Sequence, residues 1–128
     1  TQAIQDYSHA INLQPDLLEA YHYRGIVRYG MKDLDGALAD YNKAISLGLK
    51  SSAVYFNRGV IFHQKGQLSD AIESYSRSIE IDPSNARAYY NRAISKLIVD
   101  NYKEALQDLE ISKRLGYSKA AEIISQYY

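Results

Sequence analysis

The chain has 128 residues, 46% hydrophobic and 23% charged, the proportions of an ordinary soluble protein. Fifteen basic and fifteen acidic side chains cancel, so no global field draws it to nucleic acid or an anionic membrane, and no apolar run approaches the roughly 20 residues of a membrane span. With no cysteine, disulfides, thiolate metal sites and cysteine nucleophiles are excluded, while 13 tyrosines against two phenylalanines point to helix interfaces with wet edges.

The opening stretch TQAIQDYSHAINLQPD reads as one helix, with Ala3, Tyr7 and Ala10 on a stripe and Pro15 beyond its end. A second helix carries Tyr21, Arg24 and Gly25. The turn KDLDG at 32–36 leads into a third with Ala37, Tyr41 and Ala44, which Gly48 can terminate. Tyr55, Gly59 and Phe62 mark the next helix, and Lys65, Gly66 and Gln67 break it. Ala71, Tyr75, Ser78 and Ile79 form the stripe of its partner. The run Asp82-Pro83-Ser84-Asn85 then stops that helix and offers caps to the following one. Tyr89, Arg92 and Ala93, then Ala105, Leu109 and Ser112, repeat the scheme before Gly116. The tail SKAAEIISQYY places Ala120, Ile123, Ile124 and Tyr127 on one face of a last helix.

These stripes recur at a fixed interval of 34 residues: Ala3, Ala37, Ala71 and Ala105; Tyr7, Tyr41, Tyr75 and Leu109; Tyr21, Tyr55 and Tyr89; Arg24, Arg58 and Arg92; Gly25, Gly59 and Ala93. Small residues stand where two backbones must approach closely. The columns resemble the tetratricopeptide-repeat family, whose motif runs bulky, small, alanine, aromatic, small and proline; the unit 52–85 shows Tyr55, Gly59, Ala71, Tyr75, Ser78 and Pro83 in those places. The resemblance implies an all-α, right-handed superhelical solenoid of antiparallel helix pairs. Its divisions are a half repeat at 1–17 with the second helix only, repeats at 18–51, 52–85 and 86–117, and a capping helix at 118–128. Leu49 and Tyr117 depart from the motif's proline, and Arg28 and Lys96 from the aromatic kept as Phe62. The stems of Arg28 and Lys96 are expected to cover apolar surface while their charges reach out to solvent. The missing first helix at the N-terminus fits a fragment of a longer array.

An arginine beside the packed stripe needs a partner, because an unpaired buried charge is costly. An acidic column on the same interval, Asp6, Asp40 and Asp108 with Ser74 in the gap, supplies candidates. Arg24, Arg58 and Arg92 are therefore read as structural rather than catalytic. The resemblance implies that the first helices line a concave groove, placing His22, Ile26, Tyr29, Phe56, Val60, His63, Arg87, Tyr90 and Ile94 along it, with Asn57 and Asn91 at its border. Amides there can both donate to and accept from a peptide backbone.

Family members that clamp acidic chaperone tails use lysine, asparagine and arginine at positions where this chain has His22, Ile26, Asn57, Arg87 and Asn91. An apolar or amphipathic segment is therefore the favoured ligand over an acidic tail. His9, His22 and His63 sit on different helices without metal-binding spacing, and KDLDG lacks the closing glutamate of a calcium loop. No phosphate-cradling glycine loop or nucleophile elbow occurs. The sequence reading is thus a soluble, non-catalytic scaffold without metal or cofactor, binding a protein or peptide partner. Self-association through the N-terminal or C-terminal helix is the alternative, as is a regulatory role within a longer protein.

Overall fold

Helix-forming stretches separated by glycine, proline and capping residues give eight α-helices and no strands. The computed structural model describes residues 1–128. The helices are α1 (Gln2–Leu13), α2 (Leu18–Gly30), α3 (Leu34–Ser46), α4 (Ser52–Gln64), α5 (Leu68–Ile81), α6 (Ala86–Ile98), α7 (Tyr102–Arg114) and α8 (Ser118–Tyr127). Side-chain oxygens of Thr1, Asp33, Ser51 and Asn85 accept from backbone N–H groups three residues on, satisfying donors that the first helical turn leaves open. Gly48 and Gly116 take φ of 109° and 99° just past α3 and α7, a backbone that only glycine adopts without strain. In the turns after α2 and α6 the left-handed residue is not glycine but Lys32 and Asp100, each at φ 63°.

The chain divides into two units, 1–50 and 51–128. In the first, α2 packs against both α1 and α3. Gly25 lets α3 approach: a Cβ there would lie 2.8 Å from the Tyr41 ring, which is itself fully buried. In the second, α4 pairs with α5 and α6 with α7, α6 also packs on α5, and α8 packs on α7. Gly59 plays the part of Gly25, since a Cβ would meet the Tyr75 ring at 2.5 Å. Ala93, Ala105, Leu109 and Ala120 form the buried heart of its C-terminal half, flanked by Tyr90, Leu97, Ile123 and Ile124. The buried serines are satisfied: Ser78 Oγ donates to the Ser52 carbonyl and Ser112 Oγ to the Ala86 carbonyl, both at 2.9 Å. Each bond ties a second helix to the start of its first helix, so the small column does more than permit close approach.

Candidate functional site

The arginine column sets the framework around which the variable residues stand. Arg24 forks onto Asp40, Nε to Oδ2 at 2.9 Å and Nη2 to Oδ1 at 2.7 Å, and its Nη1 donates to Ser8 of α1 at 3.0 Å. The hydrogen bond to Asp40 is the chief reason its guanidinium is held above the ordinary arginine value. Arg92 repeats this geometry in the second unit, with Asp108 at 2.8 and 2.6 Å and Ser76 of α5 at 3.0 Å. Each arginine therefore pairs forward with the acid of its own helix pair and reaches back to the preceding second helix.

Forward pairing leaves Asp6 apart from the arginines; it is exposed and accepts from Gln2 at 2.8 Å. The middle arginine differs as its acid column does. Arg58 Nε donates to Ser74 Oγ at 3.0 Å, and Nη2 pairs with Glu73 at 3.1 Å.

One sequence expectation is corrected here. The charges of Arg28 and Lys96 do not reach out to solvent. Each lies one turn after its column's arginine and donates to the same buried carboxylate: Arg28 Nη1 to Asp40 at 3.0 Å, and Lys96 Nζ to Asp108 at 2.9 Å. A carboxylate out of water has acceptor capacity for a second cation, and the turn spacing supplies one. Phe62 occupies that place where the acid is Ser74, so the two columns change together.

Against this framework an apolar pocket of about 260 Å³ opens between α4 and α6 in the second unit. Val60, His63 and Gln64 from α4, Tyr75 from α5, and Tyr90, Asn91 and Ile94 from α6 line it. Five of these, Val60, His63, Tyr90, Asn91 and Ile94, are residues that the sequence placed along a groove. Gln64 and Tyr75 are additions; Tyr75 reads in sequence as packing alone, yet it also walls the pocket. Phe56 adjoins through ring contact with Tyr75 at 5.7 Å, and the Arg87 guanidinium lies 5.6 Å from the centre of the Phe56 ring. Asn57 is half-buried on α4.

The Tyr90 ring meets Tyr117 edge-on at 4.9 Å, and burial, with Tyr117 and Glu122 adding, lifts its hydroxyl above the ordinary tyrosine value. It therefore stays a neutral donor across the physiological range. His63 Nδ1 lies 3.1 Å from Ser95 Oγ. A second apolar cavity, about 330 Å³, is lined by Ile94, Leu97, Ile98, Tyr102, Ile123 and Tyr127.

The first unit holds the remaining sequence candidates on α2. His22 stacks on Tyr23 at 4.9 Å, and burial lowers its pKa against the opposing pull of Glu19. Ile26 is exposed, and the Tyr29 ring lies 6.5 Å from that of Tyr41. No group of histidine and acidic side chains is arranged to hold a metal ion, and no helix is long and apolar enough to cross a membrane.

Comparison with known proteins adds three findings. A model of the TPR repeat matches residues 59–96. A crystal structure of MamA superposes with a TM-score of 0.85 at 18% identity, over 91% of this chain and 70% of that one. A second MamA crystal structure gives 0.77 at 22% identity over 97% and 65%, so the chain spans about two thirds of the MamA chains it matches. The TPR domain of Arabidopsis OM64 gives 0.74 at 25% identity over 85% of this chain and 91% of that one. The first TPR of Spaghetti (RPAP3), bound to the HSP90 peptide SRMEEVD, gives 0.75 at 16% identity over 85% and 88%. No curated protein matches.

Proposed function

We propose that this chain, whose residues 59–96 match a model of the TPR repeat, is a non-catalytic interaction scaffold holding an apolar side chain of a peptide or helix partner between α4 and α6. The observation that carries this reading is the pocket itself, an apolar hollow whose lining includes the amide residues Gln64 and Asn91. Apolar walls supply affinity without direction, and amides fix a peptide backbone in register. Burying one large apolar side chain there contributes roughly 1.5–3 kcal/mol, so several such contacts along the partner are needed to reach micromolar binding, about 8 kcal/mol after association costs. The RPAP3 domain of this fold holds an acidic peptide. Here the one arginine among the groove candidates, Arg87, lies over the Phe56 ring and does not line the pocket, which favours an apolar or amphipathic ligand over an acidic tail.

Selection from a displayed peptide library tests the reading. Sequences with a bulky apolar anchor are expected, and Tyr90→Ala or Asn91→Ala should weaken their capture while leaving the helical circular dichroism unchanged. A selection that yields no anchor, or binders indifferent to both variants, overturns it.

Self-association is supported by a separate observation. Ile98, Tyr102 and Tyr127, which line the second cavity, and Tyr128, whose hydroxyl donates to the Tyr102 carbonyl, are each about half exposed or more, an apolar cluster of the kind that marks protein contacts. Sedimentation velocity over a range of concentrations decides this reading: a dimer abolished by Ile98→Glu supports it, and a monomer at the highest concentration removes it.

A further inference from the structure

Ser95 is fully buried on α6, at a position where the sister repeats carry Val27 and Ile61. A hydroxyl among apolar side chains is costly to bury unless its proton finds an acceptor. The hydroxyl of Ser76 shows the common helical solution, donation to the carbonyl four residues back, at 2.8 Å. Ser95 makes no such bond; its hydrogen-bond partner is His63 Nδ1 at 3.1 Å.

The direction of that bond follows from proton bookkeeping. If Nδ1 carried a hydrogen and donated it to Oγ, the Ser95 proton would be left buried without an acceptor. If Ser95 donates to a bare Nδ1, both groups are satisfied, and the imidazole hydrogen sits on Nε2. No other side chain of this protein accepts from that Nε2–H, and the ring that bears it lines the pocket.

We infer that His63, held as the Nε2–H tautomer by Ser95, is a fixed hydrogen-bond donor of the pocket that reads a carbonyl beside the ligand's apolar anchor. Ser95 is the positioning residue. The tautomer stands on this bond alone, whereas the ligand half rests on the proposed pocket. The ligand class narrows accordingly, to an apolar side chain with a peptide carbonyl next to it rather than a purely hydrocarbon group. The remaining pocket residues agree, since Val60, Ile94 and the tyrosine rings supply apolar lining while Asn91 and Gln64 add amides to it.

The test has two arms. Long-range proton–nitrogen correlation spectra near neutral pH should show His63 with a pyridine-type Nδ1 and a pyrrole-type Nε2, and Ser95→Ala should shift it to a mixture of tautomers. A pyrrole-type Nδ1 in the wild type overturns the inference. In the second arm, N-acetyl-phenylalanine methylamide and ethylbenzene are titrated while the amide resonances of Val60, Tyr90 and Asn91 are followed. The amide probe should lose roughly threefold to tenfold in affinity in both His63→Phe and Ser95→Ala, the range of one hydrogen bond, while ethylbenzene is unaffected by Ser95→Ala. Equal affinity of the amide probe for wild type and His63→Phe overturns the carbonyl-reading role. If neither probe moves these resonances, the pocket reading falls and takes the ligand half with it, while the nitrogen spectra still judge the tautomer.

Discussion

Replacing Asp108 by serine probes the charge framework, because the middle repeat already contains the outcome. Asp108 is 4% exposed and neutralises two cations that are themselves largely covered, Arg92 at 18% and Lys96 at 12%. Asp108→Ser leaves both positive charges facing one another with no anion and little water. Removing one partner from such a buried cluster costs about 3–5 kcal/mol, a large share of the 5–15 kcal/mol that holds a domain folded. The position 34 residues earlier is already serine, Ser74, and there Phe62 replaces the second cation while Glu73 takes the arginine at 3.1 Å. Lys96→Phe with Gln107→Glu and Asp108→Ser transfers that whole arrangement into the third repeat.

The triple variant should therefore recover to within about 1 kcal/mol of wild type, since apolar replacement of a buried ion cluster is often neutral or stabilising. Urea unfolding followed by circular dichroism measures both, with the midpoint falling for Asp108→Ser and returning for the triple variant at similar slope. A single variant within 1 kcal/mol of wild type would refute the claim that the carboxylate neutralises buried charge. A triple variant as unstable as the single one would refute the claim that these columns change together as a set.

Gly59→Ala should destabilise by roughly 1–3 kcal/mol, because its new Cβ would lie 2.5 Å from a buried ring, whereas Gly30→Ala meets nothing within 4 Å and should be neutral or slightly stabilising; thermal denaturation compares them directly. The lowered pKa of His22, caused by burial, gives a pH dependence with a definite sign: the folded state favours the neutral ring, so its contribution is full above 6.5 and is lost as pH falls through the folded value. Stability measured by urea unfolding should fall on acidification through that window, and His22→Phe should flatten the fall. An unchanged slope in that variant would assign the pH dependence to other groups.

Helices and their packing stripes were legible because they rest on periodicity, which sequence displays directly. Gly25 and Gly59 were readable for the same reason: a small residue recurring opposite a recurring tyrosine states a steric requirement before any coordinate is known. The partner of each arginine was not readable. Asp6 and Asp40 both lie on the 34-residue interval, and only the forward reach of Arg24 onto Asp40 separates them. Arg28 and Lys96 misled because a long side chain on a half-buried face has two outcomes, solvent or a shared anion. The choice depends on whether a buried acceptor on the paired helix lies within reach. A comparison of columns held the hint, since Phe62 and Ser74 are both exceptions within one repeat.

The same comparison separates framework from recognition. Positions that keep their chemistry, or change together as a charge set, answer to folding. Ser95 breaks the apolar column of Val27 and Ile61; its hydroxyl answers to His63, on the neighbouring first helix and in the wall of the pocket. A buried polar group that packing does not require, joined to a residue lining a cavity, carries more information than a run of exposed aromatics, because desolvation would select against it without a use. In this repeat scaffold, therefore, the residues to probe for ligand recognition are those whose departure from the repeat is matched across first helices rather than within a helix pair, and His63 with Ser95 meets that criterion.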